Sequence, residues 1–293
     1  MNRAPPPLHC YLCGSSDCRR VHDHIRYGLP PRPYRCQQCG LVFLHPQMDP
    51  EEERRFYEKE YRSGYVDEPP EKTFSYSLSE SQERVDRFRT LFSPEHDLLE
   101  IGCAAGSFLS LVRPYVRSVR GIEVTPTYAT FAKEQGIPVA GSLEALPDRA
   151  FDLVFSFHVL EHLHDPIRHL TLLRSKLRRG GQVIIEVPNV DDILVSVYRI
   201  PEHLDFYWEI AHQFYFSKAT LAMVLEKAGY HHEIFPLQRY DLSNHIYWML
   251  YRKPGGKGHF RHLFSRELDQ EYEKILKERF ITDTLYVRAS PME

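Results

Sequence analysis

Two close cysteine pairs open the chain, Cys10-x-x-Cys13 and Cys36-x-x-Cys39, each followed by a glycine, Gly14 and Gly40. A CxxC pair sits in a tight turn with its thiolates converging, and two such turns build a tetrahedral four-sulfur site. Soft thiolates select zinc or iron. Zinc is expected, because so small a unit cannot fold on apolar burial alone and structural zinc supplies about 10–16 kcal/mol of apparent folding energy in such peptides. A redox dithiol or an iron centre would use the same residues. Cys18 fits the ligand spacing less well, and Cys103 is expected to be a small buried residue. Paired thiols of this kind point to a reducing compartment, with the cytoplasm as the default location.

The second constellation is a turn rich in small residues, Leu-Leu-Glu-Ile-Gly-Cys-Ala-Ala-Gly-Ser-Phe from Leu98 to Phe108. Gly102, Ala104, Ala105 and Gly106 let a ligand approach the backbone closely. Glu123 ends the next apolar run, where a carboxylate can accept hydrogen bonds from both hydroxyls of a ribose. These features alone admit NAD as readily as S-adenosylmethionine. A dinucleotide turn uses glycines to seat a pyrophosphate on a helix N-terminus. Here Ala104 and Ala105 fill the middle of the turn, and Glu100 stands where it could hold an ammonium group, which favours a sulfonium nucleoside. A third pattern, His158-Val159-Leu160-Glu161-His162, matches the H-x-x-E-H of a zinc-peptidase class. That use needs the motif inside a long helix and a third ligand. The motif instead straddles a strand end and a loop, no third donor is evident, and Glu161 and His162 are expected to pin the loop.

These groups need elements to hold them. Residues 98–101, 118–122, 138–140, 151–157, 183–187, 232–237 and 284–287 read as strands. Helices are predicted over 107–112 and 127–135, from the Asp165 cap and Pro166 to a stop at Gly180-Gly181, and from the Ser217 cap to Gly229. Alternating strands and helices argue for a parallel sheet covered on both faces, an α/β fold. Upstream, residues 1–45 form the cysteine unit and 46–96 a helical connector, with a helix-prone run at 51–61 and an apolar helical spacing within 81–92. The domain at 97–293 carries insertions at about 190–216 and 240–281. Hydrophobic residues make up 42% and charged ones 26% of 293, which excludes a disordered or collagen-like chain. Lys and Arg number 37 against 40 Asp and Glu, so no basic footprint of a nucleic-acid binder is visible. No stretch approaches the roughly 20 apolar residues of a membrane span, and no apolar secretory signal follows Met1.

With these residues in view, the chain resembles the class I S-adenosylmethionine-dependent methyltransferases. The segments that carry the resemblance are LLEIGCAAGSF (98–108), GIEVTP (121–126), GSLEALP (141–147), FDLVFSFHVLEHLHDP (151–166), GGQVIIEVPN (180–189) and HQFYFSKATLAMVLEKAGY (212–230), in family order. The cysteine unit, CGLVFLHP and the aromatics Phe56, Tyr57 and Tyr61 are similar to a zinc-bearing subgroup that includes sugar and natural-product methyltransferases. The resemblance implies a Rossmann-like seven-stranded sheet with the last strand antiparallel, and S-adenosylmethionine plus Zn2+ as cofactors. It implies that Glu100, Gly102, Ala104 and Gly106 line the methionine and ribose, and that Glu123 holds the ribose hydroxyls. Val124 would touch the adenine, Ser142 and Leu143 would flank its edge, and Phe157 and His158 would lie under the sulfonium. The family usually has glycine where Ala104 stands.

Methyl transfer to a hydroxyl or a carbon acid needs a base, worth roughly 10²–10⁴ in rate. His212 is the preferred candidate and His158 the second. Tyr207, Glu209 and Tyr215 could orient acceptor hydroxyls, Trp208 could stack on a ring, and Asn244 is pocket-like. The basic segment 252–259 could close over an anionic handle, and an amphipathic helix through Leu268, Tyr272, Ile275 and Leu276 should pack on the sheet. The acceptor expected from this reading is a small molecule, such as a nucleotide-linked or free sugar or a natural-product intermediate, with no nucleic acid and no membrane involved. The alternatives are an NAD-dependent oxidoreductase and a zinc-ribbon interaction protein with an inactive Rossmann domain; a nucleic-acid methyltransferase is a further option, disfavoured by the charge balance and by the lack of an Asn/Asp-Pro-Pro-aromatic motif.

Overall fold

The computed structural model describes residues 7–26, 31–48, 51 and 68–292. The N-terminal strands are β1 (Cys18–Arg20), β2 (Arg32–Cys36) and β3 (Val42–His45). A long helix follows, α1 (Pro70–Arg87). The alternation begins with β4 (Asp97–Ile101), α2 (Ser107–Val112), β5 (Ser118–Ile122), α3 (Pro126–Glu134) and β6 (Val139–Ala140). It continues with β7 (Phe151–Phe157), α4 (Pro166–Lys176) and β8 (Leu177–Pro188). Next come α5 (Pro201–Tyr207), β9 (Phe214–Tyr215), α6 (Lys218–Lys227) and β10 (Tyr230–Leu237). The chain closes with α7 (Leu242–Tyr251), α8 (Arg266–Glu278) and β11 (Thr284–Pro291).

Seven strands form one sheet in the order β10-β11-β8-β7-β4-β5-β6. Strands β4 to β8 pair in parallel, while β11 runs antiparallel to both β8 and β10, as the resemblance implied. The order reverses between β4 and β7, and an open parallel sheet leaves its binding crevice at the carboxyl ends of the strands there. Side chains on a strand alternate between faces, so each strand feeds two cores. Leu98, Leu153, Phe155 and Ile184 pack on the face that α1 and α2 cover. Leu99, Val154, Val183 and Ile185 join the other core with Leu170, Leu173 and Leu225 of α4 and α6.

The N-terminal unit is built into this body. Strands β1, β2 and β3 form a second sheet completed by β9, so Val42 pairs with Tyr215 and Phe43 with Phe214. Cys10, Leu12 and Cys36 are buried in the same core as Leu170 and Leu225. The Tyr11 hydroxyl accepts the Ile167 N–H at 3.0 Å and also bonds the carboxylate of Asp165, the residue that caps α4.

Several elements depart from the sequence expectation. The helix after Asp165 ends at Lys176, not at the glycines, because Leu177 turns extended and pairs with Phe151. The connector helix begins at Pro70, well before Ser81; Pro69 and Pro70 set its first turn, and its polar first half stays largely outside the core. In α8 only Leu276 is buried, and Leu268 and Ile275 are exposed, so that helix does not lay its full apolar stripe on the sheet. Apart from Glu51, the helix-prone run 51–61 with Phe56, Tyr57 and Tyr61 lies outside the described residues. No described helix is long and apolar enough to cross a membrane.

Candidate functional site

A cavity of about 700 Å³ opens at the ends of β4, β5 and β7. Gly102, Ala104, Glu123, Val124, Ser142, Leu143, Phe157 and His158 line it, whereas Glu100 and Gly106 do not. The backbone of the first turn explains its small residues. Gly102 has φ +71°, and a Cβ there would come 2.5 Å from Val159 Cγ2. Ala104 also has positive φ, 44°, a region that L-residues other than glycine enter at a cost of roughly 1–2 kcal/mol. Gly106 stands behind the wall, where a Cβ would meet Ile137 Cδ1 at 2.5 Å. Its role in this structure is helix–strand packing.

Two acidic side chains stand at this end, Glu123 in the wall of the cavity and Glu100 behind it. Glu123 accepts the Ala104 N–H through Oε2 at 2.9 Å and the Thr125 N–H through Oε1 at 2.7 Å. Each carboxylate oxygen keeps further lone-pair capacity for a ligand hydroxyl. Burial pushes the Glu123 carboxyl up despite those amides. Glu100 lies beneath the surface with Oε2 buried and unpartnered. Burial pushes its carboxyl up to about 8, with Arg84 pulling the other way. Such an orphan is compatible with an ammonium partner. Sequence reasoning missed Thr73, Tyr128, Arg168 and His169, which also line the cavity. Arg168 and His169 follow directly from the Asp165 cap, so the start of α4 was the signal available for them.

Beside the cavity lies a cluster of histidines and carboxylates, of which His158 and His162 line it and Glu161, Glu209 and His212 stand behind. His158 closes β7 with φ +54°, a strained conformation for a residue of its type. Its Nε2 lies 2.8 Å from Arg239 Nη1, and its Nδ1 3.4 Å from Glu161 Oε1. Burial, then Arg239 and Arg84, hold the His158 imidazole well below its ordinary value, so it is neutral. Glu161 is fully buried, and neither carboxylate oxygen has a hydrogen-bond partner; the approach of His158 lacks the geometry of one. Burial pushes its carboxyl up to about 7. His162 Nε2 stands 3.9 Å from Glu161 Oε1, and the His162 ring meets His212 edge-on at 4.6 Å. His212 Nε2 lies 2.9 Å from Glu209 Oε1, and Glu209 Oε2 lies 2.8 Å from Arg26 Nη1. Burial opposes the charged form of His212, but Glu209 outweighs it and raises the imidazole. Burial likewise opposes ionised Glu209, yet His212 and Arg26 hold that carboxyl down at about 2.

The remaining expected acceptor residues shape the surrounding loop. Tyr207 donates its hydroxyl to the Asn189 carbonyl at 3.1 Å, and the Tyr215 hydroxyl accepts the Glu209 N–H at 2.7 Å. Trp208 is buried among Tyr207 and Tyr215. Asn244 is buried in the first turn of α7, with its N–H on Asp241 Oδ1. None of these four lines the 700 Å³ cavity. The basic segment after α7 is pinned rather than loose: Ser243 Oγ donates to the Gly256 carbonyl, and the Gly258 N–H donates to Asp241 Oδ2. Beside it, Arg84 and Arg87 clamp the buried Glu186 at 2.8 and 2.9 Å, and Arg239 pairs with Glu80 at 2.6 Å.

At the far end of the chain's first sheet the four expected thiols converge. Cys10 and Cys39 sulfurs are 3.4 Å apart, those of Cys13 and Cys36 3.5 Å, and all four lie within 4.8 Å of one another. A tetrahedral ion with bonds of 2.3 Å would set sulfurs about 3.8 Å apart, so the cluster fits one. Cys18 stays outside it and donates to the Ser15 carbonyl. Cys103 is buried, as expected.

Comparison with known proteins gives three findings. The profile of a family described as a methyltransferase domain matches residues 75–233. Curated relatives include the tRNA U34 carboxymethyltransferase of Aeromonas salmonicida (strain A449), 28% identical over 145 residues, covering 45% of this chain and 44% of the relative. The tRNA U34 carboxymethyltransferase of Shewanella woodyi is 32% identical over 145 residues, covering 45% and 43%. The chain thus matches less than half the length of either relative. Among solved structures, an S-adenosylmethionine-dependent methyltransferase from Archaeoglobus fulgidus aligns with a TM-score of 0.50 and 22% identity over 75% of this chain and 96% of that one. A phosphoethanolamine N-methyltransferase 2 from Haemonchus contortus aligns with a TM-score of 0.52 and 13% identity, covering 81% and 60%. At those identities the structures speak for the fold. The relatives correct one expectation: proteins named for a tRNA substrate share this domain, so a small-molecule acceptor with nucleic acid excluded does not stand. The physical fault was to read a whole-chain charge as if it described every face. Residues 242–266 alone hold five Lys or Arg and no Asp or Glu.

Proposed function

Because the chain belongs to the class I S-adenosylmethionine-dependent methyltransferases, we propose that its 700 Å³ cavity binds that cofactor and directs the methyl group toward the histidine cluster. Bound there, S-adenosylmethionine supplies an electrophilic methyl on a sulfonium. The carrying observation is the pair of carboxylates at neighbouring strand ends, Glu123 with lone pairs left for the ribose and Glu100 with an orphan oxygen for the ammonium. Gly102 and Ala104 let the methionine lie against the backbone, Val124, Ser142 and Leu143 take the adenine, and Phe157 with His158 takes the sulfonium side. The acceptor must sit about 3–3.5 Å from the methyl with water excluded. His212, oriented by Glu209, is the residue placed to act on it. His158 is a positioning residue, since Arg239 engages its Nε2. Tyr207, Trp208 and Tyr215 support that wall, and Asn244 supports the segment after it. Cys10, Cys13, Cys36 and Cys39 would hold a structural zinc ion, which suits a reducing, cytoplasmic setting.

For the acceptor we favour a nucleoside within RNA. The support is the relatives named for tRNA U34, together with the basic, acid-free segment 242–266, where Tyr247, Tyr251 and Phe260 stand among the cations. Rings interleaved with cations are the usual platform for single-stranded nucleic acid. Calorimetry with S-adenosylmethionine, its demethylated product and NAD tests the first half; binding of NAD in place of the other two would overturn it. Transfer of a labelled methyl group to bulk tRNA tests the second half, and label appearing on free nucleosides or small metabolites but never on RNA would end it.

A further inference from the structure

Glu161 has no counterpart in the roles assigned above. It is fully buried, both its oxygens lack hydrogen-bond partners, and it faces a cluster of imidazoles at the edge of the cavity. An isolated buried carboxylate is costly unless it is paired or ligates a metal. From this geometry we propose that Glu161, His162 and His212 form a second metal site, distinct from the four thiols, that takes one divalent transition ion of the zinc class.

The three side chains each bring a ligand atom within 4.8 Å of the other two. Ligands at the usual 2.0–2.2 Å from a single ion fall within that spread. Two imidazoles and a carboxylate form a donor set that leaves coordination positions open, as catalytic zinc sites do. The outer shell is present as well. Glu209 bonds His212 Nε2 at 2.9 Å, and Arg26 in turn fixes Glu209 at 2.8 Å. His162 has a hydrogen bond to the backbone of Ala211. Carboxylate and backbone partners of this kind orient metal-bound imidazoles and set their tautomers. The third ligand is the one sequence reading could not find. His158, Glu161 and His162 form a recognisable motif, but the structure replaces His158, which is turned to Arg239, with His212 from a loop fifty residues further on. His158 and His162 also line the cavity, so the open positions face the side where the methyl group emerges. An oxygen of the acceptor could occupy one of them, and a bound ion would lower the pKa of that group, so that His212 would act on it through the ion rather than as a free base. The ion site stands on its own geometry; its use by the acceptor rests on the methyl-transfer reading.

Cobalt(II) is the probe, titrated into the full chain with optical detection. Thiolate ligation gives intense near-ultraviolet charge-transfer bands, whereas a nitrogen and oxygen site gives only weaker visible bands. Two equivalents should bind, one with each signature. Glu161→Gln and His162→Ala should each abolish the second signature and reduce the stoichiometry to one, while the thiolate signature persists as evidence of an intact fold. Saturation of the wild type at one equivalent, with thiolate bands only, overturns the proposal, as does a second equivalent that survives both substitutions. Should the variants fail to fold, X-ray absorption on the wild type with both ions loaded decides instead: a first shell of sulfur alone refutes the site, and a mixed sulfur and nitrogen/oxygen average supports it. Neither readout requires turnover, so a failed methyl-transfer assay and a failed ion site remain distinguishable.

Discussion

The two ends of the crevice are built in opposite ways. The proposed cofactor end is local: Gly102 and Ala104 share one turn, Glu123 reaches it by bonding the Ala104 N–H, and Ser142 and Leu143 follow the next strand. The proposed acceptor end is assembled from afar. Arg26 comes from the N-terminal unit, Glu161 and His162 from the turn after β7, Glu209 and His212 from the insertion after β8, and Arg239 from the end of β10. A common substrate half needs a fixed frame, and the turn geometry provides it. A variable half can be changed by altering loops while the sheet stays put.

If that division is right, the two ends should fail separately. His212→Ala should reduce turnover by about 10²–10⁴-fold while leaving the affinity for S-adenosylmethionine within a factor of a few, measured by steady-state kinetics beside calorimetry. Glu123→Ala should do the reverse first: losing hydrogen bonds to a charged acceptor is worth about 1.5–3 kcal/mol, or roughly 10- to 150-fold in cofactor affinity. A His212 variant that loses cofactor binding to the same degree would collapse the distinction.

A smaller effect concerns Glu100, behind the proposed cofactor pocket. Glu100 has a folded-state value of about 8, above the usual carboxylate range of the unfolded chain. The folded state therefore retains a proton that the unfolded state gives up. Its contribution to stability is complete below the unfolded value and is lost as the pH rises through about 8. Wild-type melting temperature should decline across that window, and Glu100→Gln should flatten the decline. Equal slopes in both proteins would remove Glu100 from the account. The smallest effect is at the turn itself. Ala104→Gly should relieve the positive φ and change stability by no more than about 1–2 kcal/mol, with cofactor affinity kept or improved.

The cofactor end was legible because its constraints are short-range. A tight turn dictates small residues at neighbouring positions, and the sequence displays them side by side. The sheet was legible for the same reason, as buried β-branched runs punctuated by Asp165, Ser217 and Gly229 mark their own limits. The helix stop at Lys176 was not, since the pairing of Leu177 with Phe151 is a long-range fact that overrides the glycines downstream. His212 was visible as a histidine of interest, but its junction with Glu161 and Arg26 was not, because no local spacing encodes it. Tyr207, Trp208 and Tyr215 looked like ligand contacts because aromatic residues suit both a wall and a pocket. Only the hydrogen bonds of Tyr207 and Tyr215 to the Asn189 and Glu209 backbone tell the two uses apart.

The strand formed by Phe214 and Tyr215 ties two distant parts of the chain into one mechanical piece. It begins two residues after His212, and its partners, Val42 and Phe43, follow the last of the four thiols. Arg26, from the same N-terminal unit, also grips Glu209. The opening segment thus serves as a buttress for His212 and Glu209, and on the proposed assignment trimming it away would slacken the acceptor side while sparing the turn between β4 and α2 on the opposite side.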